Sequence, residues 1–430
     1  MKLFQLASVL TLGTVLMACQ TTQSNSTASK IESFKARYTK AQNEPFAELV
    51  IPNKIKTDLT LTEYHHKVIR EKFPLQRYQH VEQLNVADYD EATQNTIGLI
   101  SKLRNHQFGE LNAELAQLQQ QYEANQTLEN EDALFAAYAS FNLAYEQDLE
   151  HLNKWVAHSK PYSLMARATY LHSFAWLIRG HSYVYKTKVG NINTTRHLAT
   201  MARNDAFSVL ADNKQNLVML QIINLTSKLN SWYLSHNWFY GAAEKYPNSR
   251  RLINTYASSL YTRWGGKQVQ RDLFLNYLSK NAAWALPEVI ENFNKYEVNT
   301  DTKEPLFAPG YYDAFLPSED TVNTAQNAAD FQPRYSKILK DAEYYKNIRA
   351  SHKQKQFEQC LSQSQLSIFL GRASALVLYG KATCYSGLKQ YQKALNMLDV
   401  QQQIYPNALK RYQQRYRKFI NKRLNASKVI

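Results

Sequence analysis

The sequence predicts an all-α protein built from helix hairpins stacked as a repeat solenoid, in two helical regions joined by an irregular linker. Three observations carry this expectation. Helix-breaking residues are scarce: the 430-residue chain has 12 glycines and 11 prolines, with no proline between Pro74 and Pro161. Apolar residues recur at steps of three and four, as in Phe108, Leu111, Leu115, Leu118 and Tyr122, and again in Val218, Ile222, Leu225, Leu229 and Trp232. That is the period of a helix with one buried face, and no stretch sustains the alternation a strand needs. Near the C-terminus the pattern repeats after 34 residues, Phe357 matching Tyr391 and Cys360 matching Ala394, a length that suits one helix hairpin per repeat.

The chain opens with Lys2, a mostly apolar run from Leu3 to Leu16, and the ending Leu16-Met17-Ala18-Cys19. A positive start, a short apolar core and small residues at the cut describe a secretory signal peptide. The run is too short to span a bilayer as a helix. The Leu-x-Ala-Cys ending resembles the lipobox of bacterial lipoproteins. The resemblance implies cleavage before Cys19, lipidation of its thiol and acylation of the new amino terminus. Several acyl chains anchor stably where one binds only marginally. In that class a residue other than aspartate after the cysteine, here Gln20, implies export to the outer membrane, with the chain facing the periplasm. An ordinary signal peptide with a chance cysteine is the alternative. Residues 1–18 are thus expected to be the signal peptide and 19–30 a tether, since Gln20–Ser29 has no large apolar side chain.

Residues 31–296 are expected to form the first helical-repeat domain. Pro161-Tyr162-Ser163 and Pro247-Asn248-Ser249 each precede an amphipathic segment, with the serine placed to cap it. Three passages then stand out: Phe108-Gly109-Glu110-Leu111-Asn112 with Leu152-Asn153-Lys154-Trp155-Val156; Ala175-Trp176-Leu177-Ile178-Arg179-Gly180; and Arg263-Trp264-Gly265-Gly266. On these, residues 88–296 resemble a bacterial family of helical-repeat proteins, a domain of unknown function. In that family a proline usually precedes the Arg-Trp-Gly-Gly motif, where this chain has Thr262. The resemblance implies an α-helical repeat fold and no particular activity. Trp176, Arg179, Gly180, Arg263, Trp264, Gly265 and Gly266 admit two readings. A Trp/Arg pocket could grip a carboxylate or phosphate through the guanidinium fork. Alternatively the glycines end helices and the tryptophans fill space between them, which is the commoner use of both.

Residues 297–333 break the helical texture with Pro305, Pro309, Gly310, Pro317 and Pro333, and read as a linker partly ordered by Phe307, Tyr311, Tyr312 and Phe315. Residues 334–430 follow as a basic domain. Leu378, Ala382, Tyr385, Leu388, Tyr391, Ala394, Leu398 and Pro406 resemble the tetratricopeptide pattern, in which small residues let two helices approach. Leu409, Tyr412, Tyr416, Phe419 and Ile420 are then expected to form the inward stripe of a capping helix. Cys360 and Cys384 lie twelve residues either side of Arg372. With the loop there, an antiparallel pair sets them at one height. A disulfide and two small buried side chains at tight contacts both fit.

Charge is unevenly placed. Residues 331–430 hold 19 Lys/Arg against 4 Asp/Glu, so the whole excess of +15 lies there and residues 1–330 are balanced. This suggests an anionic partner for the C-terminal region, with Arg411, Arg415, Lys418 and Lys422 sharing one helix face, unless the basic surface is simply solvated. Candidates are lipid headgroups, lipopolysaccharide, acidic polymers or an acidic protein; nucleic acid is disfavoured by the signal peptide. Catalytic motifs are absent or out of context. Ser386-Gly387-Leu388-Lys389 fits Ser-x-x-Lys but sits at a repeat turn without its companion motifs. His65 and His66 are neighbours facing different ways, so no metal or cofactor is expected. The first functional expectation is therefore a non-enzymatic one: an outer-membrane-tethered periplasmic lipoprotein that binds another envelope protein. The second is a binder of an anionic envelope component through the basic domain. The third is an enzyme using the Trp/Arg pocket.

Overall fold

The computed structural model describes residues 51–77, 84–180, 186–230, 237–264, 266–296, 312, 315 and 332–427. Among these the chain forms seventeen α-helices and no strand. The first eight are α1 (Glu63–Lys72), α2 (Glu91–Arg104), α3 (Phe108–Ala124), α4 (Leu128–Ala139), α5 (Gln147–His158), α6 (Tyr162–Arg179), α7 (Val189–Asp212) and α8 (Leu217–Asn230). Next come α9 (Asn237–Lys245), α10 (Arg250–Ser259), α11 (Gln268–Asn281) and α12 (Leu286–Tyr296). The last five are α13 (Asp341–Lys353), α14 (Phe357–Phe369), α15 (Ala375–Gly387), α16 (Tyr391–Ile404) and α17 (Lys410–Ser427).

The helices follow from local chemistry. Asp90 caps α2 by accepting from Thr93 N at 2.8 Å, Glu91 opens it and Lys102 and Arg104 close it, each charge matching the helix dipole. On α3 the five residues picked out by period, Phe108 to Tyr122, are all buried. Ser249 caps α10, accepting from Leu252 N at 3.0 Å. Ser163 does not cap: α6 already begins at Tyr162, and the Ser163 hydroxyl donates back to the Ser159 carbonyl from inside the helix. Helix α6 is buried on nearly every side and packs against α4, α5, α7 and α8, as an all-round apolar helix must.

Three hairpins turn alike. His106, Lys355 and Lys389 have φ of 60°, 60° and 61°. In each, the residue after the left-handed one donates five residues back: Gln107 to Lys102, Gln356 to Ser351, Gln390 to Tyr385. This closes the helix in the Schellman manner, and a Gln then an aromatic starts the next: Phe108, Phe357, Tyr391. The hairpin α2–α3 thus shares the turn of α13–α14 and α15–α16.

The contacts divide the chain into two units: 51–233 with 248–255 and 325–430, and a smaller one of 234–247 with 256–324. This differs from the expected division at 297–333, a segment lying mostly outside the described residues. The physical reason is a set of buried ties between the early and late helices. Arg104 donates to both Asp148 carboxylate oxygens (2.8 and 3.0 Å) and to the Phe369 carbonyl (3.1 Å). Buried Arg372 donates to the Asn142 carbonyl (2.5 Å) and Ser173 Oγ (3.2 Å). Gly371, with φ of 71°, lies so close that a Cβ there would sit 2.8 Å from Tyr145 N.

In the smaller unit Phe239 stacks on Tyr256 (4.2 Å between centroids), which meets Phe274 edge-on at 5.0 Å. Buried Arg271 donates to the Leu260 carbonyl (2.7 Å) and Thr262 Oγ1 (3.2 Å), pinning the turn that precedes α11. Tyr312 is buried against Phe293.

Candidate partner-binding groove

The helices of the larger unit leave a cavity of about 540 Å³, walled by α4, α6, α8, the start of α10 and the extended segment 333–338. Its size is that of a binding site rather than a packing defect. The floor is apolar: Phe135, Tyr138, Val218, Ile222, Leu225 and Ile338. The i, i+4 step that buries Val218 and Ile222 also aims Leu225 here, so this stripe of α8 serves core and cavity together. The rim is cationic. Arg251 pairs with Asp132 at 2.9 Å and lies over the Phe135 ring. Arg334 and Lys337 are exposed on the opposite wall.

That wall is held by long-range bonds. Tyr335 OH donates to Glu114 at 2.6 Å, Ser336 N donates to the Ala92 carbonyl at 3.0 Å, and Asn95 Nδ2 donates to the Arg334 carbonyl at 2.9 Å. Burial and the Glu114 carboxylate push the Tyr335 hydroxyl well above its ordinary range, so it stays a donor. His172 lines the cavity and accepts from Trp176 Nε1 at 2.9 Å. Burial, and then the charge of Lys228, hold its imidazole below the ordinary range and keep it neutral.

A second cavity, of about 350 Å³, lies by His66, Arg70, Glu146 and Asn153. Its polar groups are turned on one another: His66 pairs with Glu146, Asn153 accepts from Arg167, and Gln76 bridges the Ala144 carbonyl and Glu146 N. Among the described residues no three His, Cys, Asp or Glu side chains stand together as a metal site.

The residues singled out in the sequence fall as follows. Cys19 and Gly265 lie outside the described residues. Cys360 and Cys384 are joined by a disulfide linking α14 to α15, with Cα atoms 5.7 Å apart. Trp176, Arg179 and Gly180 end α6 in the larger unit. Gly180, with φ of 72°, is the cap, and its N–H donates to the Trp176 carbonyl at 2.9 Å. The Arg179 guanidinium lies 5.2 Å from the Trp176 ring and donates to the Gly180 carbonyl. Arg263 and Trp264 lie in the smaller unit, in the 3-10 turn Thr262–Trp264. Gly266 N donates to the Tyr261 carbonyl, and a Cβ at Gly266 would collide with the Leu260 carbonyl. Arg411, Arg415, Lys418 and Lys422 are exposed on α17. The inward stripe expected of that helix is corrected: Tyr412 (63 % exposed) and Phe419 (47 %) face outward, while Gln413 and Ile420 are buried. The buried Gln413 amide donates to Gln401 of α16, and Arg417 pairs with Asp399 at 2.6 Å. Polar partners on α16 thus fix the rotation that apolarity alone misassigns.

Sequence reasoning missed the groove, because its wall comes from segments about 200 residues apart. The Gln-aromatic pair after each left-handed turn was the one local signal that could have grouped α2–α3 with the C-terminal hairpins. No protein-family model matches the chain, and no curated protein or solved structure matches it either.

Proposed function

We propose that this chain is a lipid-anchored helical-repeat binding protein of the bacterial envelope. In this reading it is tethered through Cys19 to the outer membrane, faces the periplasm, and captures a segment of another envelope protein. The hairpins α13–α14 and α15–α16, closed by α17, are read as a short tetratricopeptide-like array. The observation that carries the reading is the groove of about 540 Å³, lined by apolar side chains with exposed Arg334 and Lys337 beside them. The complementary segment presents an apolar anchor beside an acidic residue. Binding rather than catalysis is favoured because the groove's histidine is committed to Trp176 and Arg251 to Asp132.

One experiment in bacterial cells tests both halves. The full-length chain carries a photo-crosslinking residue at Leu225 in the groove, or at exposed Glu110 on α3 as control, and the cells are fed a fatty-acid analogue. A discrete protein adduct is expected from Leu225 alone, lost when Arg334→Glu and Lys337→Glu are combined. The label is expected on the wild type and not on Cys19→Ser. Adducts that are the same from both positions, or insensitive to the rim charges, overturn the groove. Equal labelling of Cys19→Ser overturns the anchor.

A further inference from the structure

Helix α17 presents an outer face unlike any other in the described chain. The helix holds seven Lys and Arg residues and no acid between Lys410 and Ser427. At 100° per residue, Arg411, Arg415, Lys418 and Lys422 fall within an arc of about 60°, opposite the edge where Gln413 and Ile420 are buried. These four cations form no ion pair among the described residues, since Asp399 is taken by Arg417. Tyr412 and Phe419 lie about 80° round the helix from the centre of that arc and are exposed beside it. Their exposure is not an unfilled core contact. Tyr416 already supplies the inward aromatic, 5.6 Å from Tyr379 and 5.8 Å from Phe419. Arg423 lies 5.5 Å from the Phe419 ring, so a cation also flanks the aromatic strip on its far side.

We infer that this face is a membrane-docking surface for anionic phospholipid. Arg411, Arg415, Lys418 and Lys422 meet the phosphate layer, while Tyr412 and Phe419 enter the interfacial zone beside it. The chemistry favours a lipid surface over an acidic protein. The face is the exposed side of a single helix that lines neither of the two cavities described above, and a headgroup layer needs no cavity. Aromatic rings gain from the headgroup region where one side is apolar and the other wet. Each cation near an anionic leaflet is worth about fivefold in partition. No helix among the described residues is long and apolar enough to cross a membrane, so the contact is peripheral. It is separate from the groove, and it does not rest on acylation at Cys19.

The test is co-sedimentation of the mature chain carrying Cys19→Ser, so that no acyl group contributes. The vesicles are phosphatidylglycerol mixed with phosphatidylethanolamine, compared with pure phosphatidylcholine. Binding is expected to the anionic vesicles only, falling as salt is raised. Arg411→Glu, Arg415→Glu, Lys418→Glu and Lys422→Glu together should weaken it on the order of a hundredfold or more. Tyr412→Ser with Phe419→Ser should weaken it severalfold while leaving helicity and the salt dependence unchanged. Equal binding to neutral vesicles, or wild-type binding by either variant, overturns the inference. Retention on polyglutamate without partition into anionic vesicles also overturns it, and assigns the face to an acidic protein.

Discussion

Glu131 shows how much of this fold is decided by single buried groups. It is 1 % exposed, and its carboxylate accepts from Ser249 Oγ and from Arg251 N at 3.2 Å, joining α4 to the start of α10. Burial pushes its pKa up from 4.5 to about 7; the hydrogen bonds and the Arg251 charge pull the other way and lose. The unfolded chain releases this proton near 4.5, the native one near 7. Between those values the native state holds a proton that the unfolded state has lost. The stability contributed is therefore full below about 4.5 and lost as pH rises through 7, a difference on the order of 3 kcal/mol. Glu131→Gln keeps an acceptor and removes the ionisation. Its denaturation midpoint should stay level across that window while the wild type's falls. Parallel curves would show that another group is linked. At this scale the sequence is legible only where the partner is near. Ser249 reads as a cap because Leu252 is three residues on, but Glu131 lies 118 residues away from Ser249.

The elements themselves are more legible, because a helix is announced by its own period. The stripes on α3 and the 34-residue repeat are local patterns, and the structure has helices there. What escapes is how a helix is rotated on its neighbour. Tyr412 and Phe419 read as core by apolarity and face outward, because Gln401 and Asp399 of α16 take Gln413 and Arg417. Tertiary polar pairs leave no periodic trace. The Cys360–Cys384 bridge is the opposite case. Equal spacing about the α14–α15 loop brings the two side chains level, and both are fully buried. Closing 24 residues should contribute about 3 kcal/mol in the chain-entropy model. Cys360→Ser with Cys384→Ser is expected to lower the unfolding free energy by that amount with helicity unchanged, matching the wild type under reductant. Two free thiols in the oxidised wild type, or no effect of reductant, would remove the bridge from the account of stability.

For the whole molecule the question is what residues 325–430 depend on. Read from the sequence, 334–430 is a basic domain beyond a linker at 297–333. The contacts place it in one unit with 51–233. The ties are of a kind that is costly to break. Arg372 is a buried charge whose hydrogen-bond acceptors, the Asn142 carbonyl and Ser173, lie across the seam, Arg104 reaches the other way to the Phe369 carbonyl, and a buried charge left without its partners costs several kcal/mol. Gly371 is packed against the backbone at Tyr145 so closely that no side chain fits. Tyr335 and Ser336 spend their hydrogen bonds on Glu114, Thr96 and Ala92. A protease site engineered after Thr324 therefore separates two pieces that should stay together. After cleavage the protein is expected to elute from a sizing column as one species with its helicity intact, and to split only in denaturant. Fragment 325–430 produced alone should have exposed apolar surface and low cooperativity. Arg372→Ala should loosen the cleaved pair and change the uncleaved chain far less, because a covalent link keeps the effective concentration high. If the cleaved pieces part in native buffer and each unfolds cooperatively, then 334–430 is an independent domain and the seam through Arg104 and Arg372 is an accessory contact.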